Sequence, residues 1–157
     1  MIPELARQLH RGPACMEAAE NGIWQVLMRI PNPECIEPFE EGCVLLGSSR
    51  GRATLQDAER MFTRVVETDP GIPEAWNKRA TVRYLMGDLE GSKQDCERVL
   101  ELVPQHFGAL SGMCLIYQAL SRPQDALEWC KQALSVHPGM EPIRVLADSC
   151  ERQLKDM

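Results

Sequence analysis

The sequence predicts an all-α solenoid of stacked helix–turn–helix units. Three observations carry that expectation. Landmark residues return every 34 positions, apolar residues between them follow helical spacing, and prolines mark the points where helices start or stop. The period is kept in four registers at once: Pro70, Pro104 and Pro138; Ala58, Ser92 and Ala126; Phe62, Cys96 and Cys130; Val65, Val99 and Ala133. Units of this kind bury a face only by stacking on their neighbours.

Each element follows from its residues. In the first 33 residues, Ala19, Ile23, Val26 and Pro31 lie 39 positions before Ala58, Phe62, Val65 and Pro70, one period plus five. This predicts a degenerate unit over 1–33, with a short helix near 3–11 and a second over 14–30. The next unit, 34–72, opens with a helix over 34–47 that keeps Ile36, Phe39, Cys43 and Leu46 on one face. The five extra residues fall in the glycine- and serine-rich stretch 47–52. In the unit 73–106, Ala75, Trp76, Ala80, Leu85 and Met86 form one helical segment ended by Gly87-Asp88. Leu89, Cys96, Val99, Leu100 and Val103 form the second, ended by Pro104. Pro73 and Pro123 sit where a first helical turn tolerates proline. Pro70, Pro104 and Pro138 push the preceding residue out of helical geometry. The unit 107–140 repeats the pattern. Residues 141–157 put Ile143, Leu146, Ala147, Cys150 and Leu154 on one stripe opposite a charged face, as a capping helix requires.

The pattern Leu110-x2-Met113-Cys114-x2-Tyr117, followed by Ala126-x3-Cys130 and Pro138, resembles the tetratricopeptide repeat. The unit 73–106 is similar through Trp76, Ala80, Gly87, Ser92, Cys96 and Pro104, and departs from the pattern at Arg79 and Arg83. The resemblance covers 34–140 and implies a right-handed solenoid whose first helices line a concave, peptide-binding groove. It places Cys114 and Ala126 where the helices of one unit approach closely, and Tyr117 and Cys130 where one unit meets the next. The groove residues it implies are Asn77, Lys78, Thr81, Tyr84 and Leu85. Ser111, Leu115, Gln118 and Ala119 follow in the next unit, and Phe39, Glu40, Cys43 and Leu46 precede. A basic, aromatic centre between small polar units suits a short acidic or polar peptide. A carboxylate clamp needs several convergent cations, and only Asn77 and Lys78 are of the right type. The runs Trp76–Ala80 and His106–Gly112 also resemble small repeat proteins of bacteria and plant plastids, which implies no particular activity.

Charge and chemistry narrow the function classes. The net charge is −6. Residues 1–49 carry 3 basic and 7 acidic groups, residues 50–83 carry 7 and 5, and residues 84–157 carry 7 and 11. So weak a basic band disfavours nucleic acid. An RNA-binding helical repeat, the second alternative, would rely on Arg50, Arg52, Arg60, Arg64, Lys78, Arg79 and Arg83. Arg79 and Arg83 read instead as packing residues whose guanidinium groups pair with Asp88, Glu90 or an acid of a neighbouring unit. Seven cysteines without a CxxC pair read as free thiols of a reducing compartment. The chain start has no secretory character, and no apolar run reaches membrane-spanning length. The expected location is cytoplasmic, or an organelle stroma or matrix for a processed form. Metal, cofactor and catalytic constellations are not recognisable: His10, His106 and His137 stand apart from the cysteines at non-ligand spacing. The expected function is a non-catalytic adaptor that binds a protein or peptide in its groove, with a self-associating structural or assembly protein as the alternative.

Overall fold

The computed structural model describes residues 30–48 and 51–157. The degenerate unit expected over 1–33 falls almost entirely outside the described residues. Arg50, Cys15 and His10 also lie outside them. Among the described residues the chain forms seven α-helices, preceded by a short 3-10 turn at Pro33–Cys35, and no strand. The helices are α1 Ile36–Gly47, α2 Arg52–Thr68, α3 Pro73–Met86, α4 Leu89–Leu102, α5 Phe107–Ala119, α6 Pro123–Val136 and α7 Glu141–Lys155. They divide into two compact units. In residues 27–104, α1 packs on α2, α2 on α3 and α3 on α4, with α1 also touching α3. In residues 105–157, α5 packs on α6, α6 on α7 and α5 on α7.

The repeated registers turn out to be the buried stripe of every second helix. Ala58, Phe62 and Val65 on α2, Ser92, Cys96 and Val99 on α4, and Ala126, Cys130 and Ala133 on α6 are all buried. Their spacing of four and then three puts each trio on one side of a helix. Small residues lead each trio because the facing helix comes close. Ser92 Oγ donates to the Ala80 carbonyl at 2.8 Å, so the one polar member satisfies itself on the backbone of α3. The fourth register, Pro70, Pro104 and Pro138, follows each second helix by two residues. The intervening Asp69, Val103 and His137 are extended, with φ of −141°, −139° and −133°.

Helix starts and turns obey local rules. Proline opens α3 and α6. Asp88 caps α4 through Gly91 N–H at 3.0 Å, and His106 Nδ1 caps α5 by accepting from Ala109 N–H at 3.1 Å. Between α3 and α4, Gly87 adopts φ 85°, with Asp88 N–H returning to the Arg83 carbonyl at 2.9 Å. One period later, Ser121 takes the same left-handed position at φ 56°, and Arg122 N–H returns to the Tyr117 carbonyl at 2.9 Å. A side chain is strained there where glycine is not.

One sequence expectation is corrected. Cys114 of α5 and Cys130 of α6, with Cα atoms 5.3 Å apart, are joined as a disulfide, so the cysteines are not all free thiols. The reason is the close approach of α5 and α6, which brings two small residues of one hairpin within disulfide range. Cys35, Cys43, Cys96 and Cys150 are free.

Two outcomes follow from this architecture. Ser121→Gly should stabilise residues 105–157 by up to about 1 kcal/mol, seen as a raised midpoint in thermal melts followed by circular dichroism. Thiol titration of the denatured, unreduced chain should find two fewer reactive groups than after reduction. An equal count would show that Cys114 and Cys130 only touch.

Candidate functional site

The face of interest begins on α3, where Glu74, Lys78, Thr81 and Leu85 follow one another at helical spacing. Its upper end is closed. Glu74 has no exposed surface. Asn77 Nδ2 donates to its Oε1 at 3.1 Å, and Lys78 Nζ stands 3.6 Å from the same oxygen. A buried carboxylate needs such compensation, and it engages both residues that looked most like peptide ligands. Asn77 is itself only 9% exposed, and its amide is tied to Glu74 of the same helix. The lower end is open. Thr81 is exposed, its hydroxyl donating to the Asn77 carbonyl at 3.1 Å, Tyr84 is half-buried, and Leu85 is 53% exposed.

Helix α1 lies against α3, but its inner register differs from the expected one. Phe39, expected in the groove, is 3% exposed and sits edge-on to Phe62 with ring centroids 5.8 Å apart. Gly42 is pressed so closely on that ring that a Cβ would stand 2.8 Å from it. Cys43 and Leu46 are half-buried. Burial pushes the Cys43 thiol up, with Lys78 opposing that rise and Glu74 and Glu40 adding to it. The exposed positions of α1 are Ile36, Glu37, Glu40, Glu41, Val44 and the terminal Gly47. The aromatic ring occupies the interface with α2 because burying a phenyl group is favourable, whereas burying the carboxylate of an adjacent glutamate without a partner is costly.

The arginines that break the repeat pattern form a network across three helices. Arg79 grips Asp95 with two bonds, Nε to Oδ2 at 2.9 Å and Nη2 to Oδ1 at 2.7 Å, and donates from Nη1 to Thr63 Oγ1 at 3.2 Å. Arg83 donates from Nε to Glu59 Oε1 at 2.7 Å and from Nη1 to Asp95 Oδ2 at 3.1 Å. The guanidinium of Arg79 also lies 4.9 Å over the Trp76 ring, whose Nε1 donates to the Pro70 carbonyl at 2.9 Å. The expected packing role is what the geometry shows: Glu59 supplies the acid of a neighbouring unit expected from the sequence, while the partner within the unit is Asp95 rather than Asp88 or Glu90. Asp88 is occupied as a helix cap, and Glu90 pairs with Lys93.

These pairings dismantle the basic stripe on which an RNA-binding reading would stand. Lys78, Arg79 and Arg83 face internal carboxylates, and Arg60 pairs with Asp57 on its own helix. Only Arg52 and Arg64 of that set lack a carboxylate partner among the described residues.

In residues 105–157 the corresponding face lies on α5. Ser111 is half-buried and donates to the Gly108 carbonyl at 2.9 Å, Leu115 is 37% exposed, and Gln118 and Ala119 are exposed. Gln118 borders an open depression of about 520 Å³ with Ser121, Gln153 and Asp156. The thiol chemistry is unpromising for catalysis. Burial, reinforced by Asp95 and Glu97, pushes the Cys96 thiol up to about 12, the opposite of an activated nucleophile. Among the described residues no group of three or more His, Cys, Asp or Glu side chains is placed to hold a metal ion, and no helix is long and apolar enough to cross a membrane.

Comparisons with known proteins agree on architecture. No protein-family model matches the chain. A TPR repeat-containing protein of Rhizobium etli is 37% identical over 83 residues, which is 50% of this chain and 41% of that protein. Sperm-associated antigen 1 of Mus musculus is 27% identical over 101 residues, 64% of this chain and 11% of that protein. The chain thus spans less than half the length of either relative. Among solved structures, the Sgt2 TPR domain from Aspergillus fumigatus superposes with a TM-score of 0.72 at 18% identity, covering 80% of this chain and 82% of that one. The first TPR of Spaghetti (RPAP3), bound to the HSP90 peptide SRMEEVD, gives 0.73 at 16% identity, covering 82% and 98%.

The ion network makes a sharp prediction, because the same three positions one period later are Met113, Tyr117 and Trp129. Asp95→Ala leaves the buried Arg79 without a carboxylate and the half-buried Arg83 with Glu59 alone, and should destabilise the chain by about 3–5 kcal/mol. Combined Arg79→Met, Arg83→Tyr and Asp95→Trp should recover most of that loss in urea denaturation. A triple variant as unstable as Asp95→Ala would show that the network does more than fill its site.

Proposed function

We propose that the chain, whose fold is similar to that of tetratricopeptide-repeat domains, is a non-catalytic interaction module that holds a segment of another protein on the exposed faces of its first helices. One observation carries this reading. Helix α3 is enclosed by α1, α2 and α4, yet its stripe ends in an exposed Thr81 and a half-exposed Leu85 that the fold does not use. Leu115 and Gln118 repeat the situation on α5. Support also comes from the fold, since the Spaghetti domain of similar architecture holds a peptide. Preformed helices let a partner bind with little ordering of the receptor itself.

The partner-facing residues on this reading are Lys78, Thr81, Tyr84 and Leu85 on α3, and Ser111, Leu115 and Gln118 on α5. Asn77 contributes by fixing Glu74 and Lys78. A photo-crosslinking residue placed at Thr81 or Leu115 should capture partner polypeptides in extract of the source cells, while the same residue at the exposed Glu97 of α4 should not. Crosslinks confined to position 97 would move the binding surface to the second helices and overturn the assignment.

A further inference from the structure

We propose that the inner face of residues 34–85 selects a basic, aliphatic polypeptide segment, one that carries lysine or arginine beside leucine-like side chains. The proposal rests on the reading of that face as a polypeptide-binding surface and narrows it, replacing the acidic or polar peptide that the residue types alone suggest.

The charge of the face is the first ground. Residues 30–48 contain Glu34, Glu37, Glu40 and Glu41 and no lysine or arginine. All four carboxylates are exposed, and none forms an ion pair among the described residues. Glu37 sits in the first turn of α1, where the helix dipole favours it. Glu40 and Glu41 stand beyond that turn and gain little from it, and Glu37 repels both at three- and four-residue spacing. The fold therefore carries this charge without using it, and a cation from outside would relieve it.

The available cations are the second ground. Lys78, whose charge is felt at Cys43 of α1, is neutralised by the buried Glu74. Arg79 and Arg83 are spent on Asp95 and Glu59. A carboxylate arriving at this face would meet glutamates without a convergent pair of free donors, the arrangement that acid recognition requires.

The apolar surface is the third ground. Ile36 is 40% exposed and Val44 69% exposed on the same face of α1 as the glutamates, at positions that bracket Glu40 by four residues on either side. Leu85, 53% exposed, closes the stripe on α3. Aliphatic patches set among carboxylates match a side chain that offers an apolar stem and a cationic head, and complementary charge supplies orientation and encounter rate.

The test is a selection of random twelve-residue peptides against the intact chain. Synthetic copies of the winners are then titrated by fluorescence anisotropy at low and high salt. Two variant sets are compared, Val44→Ser/Leu85→Ser and Glu37→Gln/Glu40→Gln/Glu41→Gln, each checked for helix content by circular dichroism. The winners should be rich in lysine or arginine with aliphatic neighbours. Both variant sets should weaken them by about tenfold or more, and the glutamine set should also flatten the salt dependence. Acidic or neutral winners that still depend on Val44 and Leu85 would overturn the charge assignment and leave the polypeptide-binding reading standing. Winners indifferent to both sets, or no winners, would overturn both.

Discussion

A carboxylate buried to 2% exposure, Asp95, sets the spacing of three helices. It is charged in a place where an isolated charge could not remain, so two guanidinium groups must come to it. Arg79 meets it with both oxygens, which fixes angle as well as distance. Arg83 reaches it at 3.1 Å and continues to Glu59 on α2. Because α3 supplies both arginines, neither α2 nor α4 can slide along it without breaking a bond to a buried charge. Apolar contacts alone, being non-directional, would tolerate such a slide more easily.

The same network decides what the outside of the chain can do. Residues 50–83 hold more bases than acids in sequence, which on its own suggests a cationic patch. Folding turns three of those seven bases inward, onto Asp95, Glu59 and Glu74. The carboxylates of α1 have no such use and stay in water. Surface character is thus the remainder after internal pairing, and among the described residues of 51–83 that remainder is Arg52 and Arg64 against Glu67 and Asp69, balanced where the linear count is basic.

Much of the fold was legible because its signals are local or periodic. Proline two residues beyond each second helix, the four-then-three spacing of buried positions, and glycine at the left-handed turn residue all act over a few bonds. They would give the same helices in many contexts. The inner face was less legible for a physical reason. On α1 the extra residues before α2 break the period, and only the fit of Phe39 against Phe62 decides which side faces inward. Asn77 looks like a ligand until Glu74 is known to be buried beside it, and that burial depends on packing against neighbouring helices. The partners of Arg79 and Arg83 lie 12 to 24 residues away, so spacing alone points to the neighbouring unit, where Glu59 lies, but to Asp88 and Glu90 in place of Asp95.

The two hairpins in register show how far one backbone plan separates stability from recognition. Where α3 and α4 use Arg79, Arg83 and Asp95, α5 and α6 place Met113, Tyr117 and Trp129, and both pairs close. The second-helix stripes supply the common part: Ser92, Cys96 and Val99 in one, Ala126, Cys130 and Ala133 in the other. Since helix pairing tolerates an ionic or an apolar filling at those three sites, the choice is open to other demands. In residues 73–104 the ionic filling consumes two cations that would otherwise colour the surface. In residues 107–136 the apolar filling leaves the local charge to be set elsewhere. Positions such as Thr81, Leu85, Leu115 and Gln118 keep much of their surface in water, so a substitution there disturbs less packing than one in the stripe behind them.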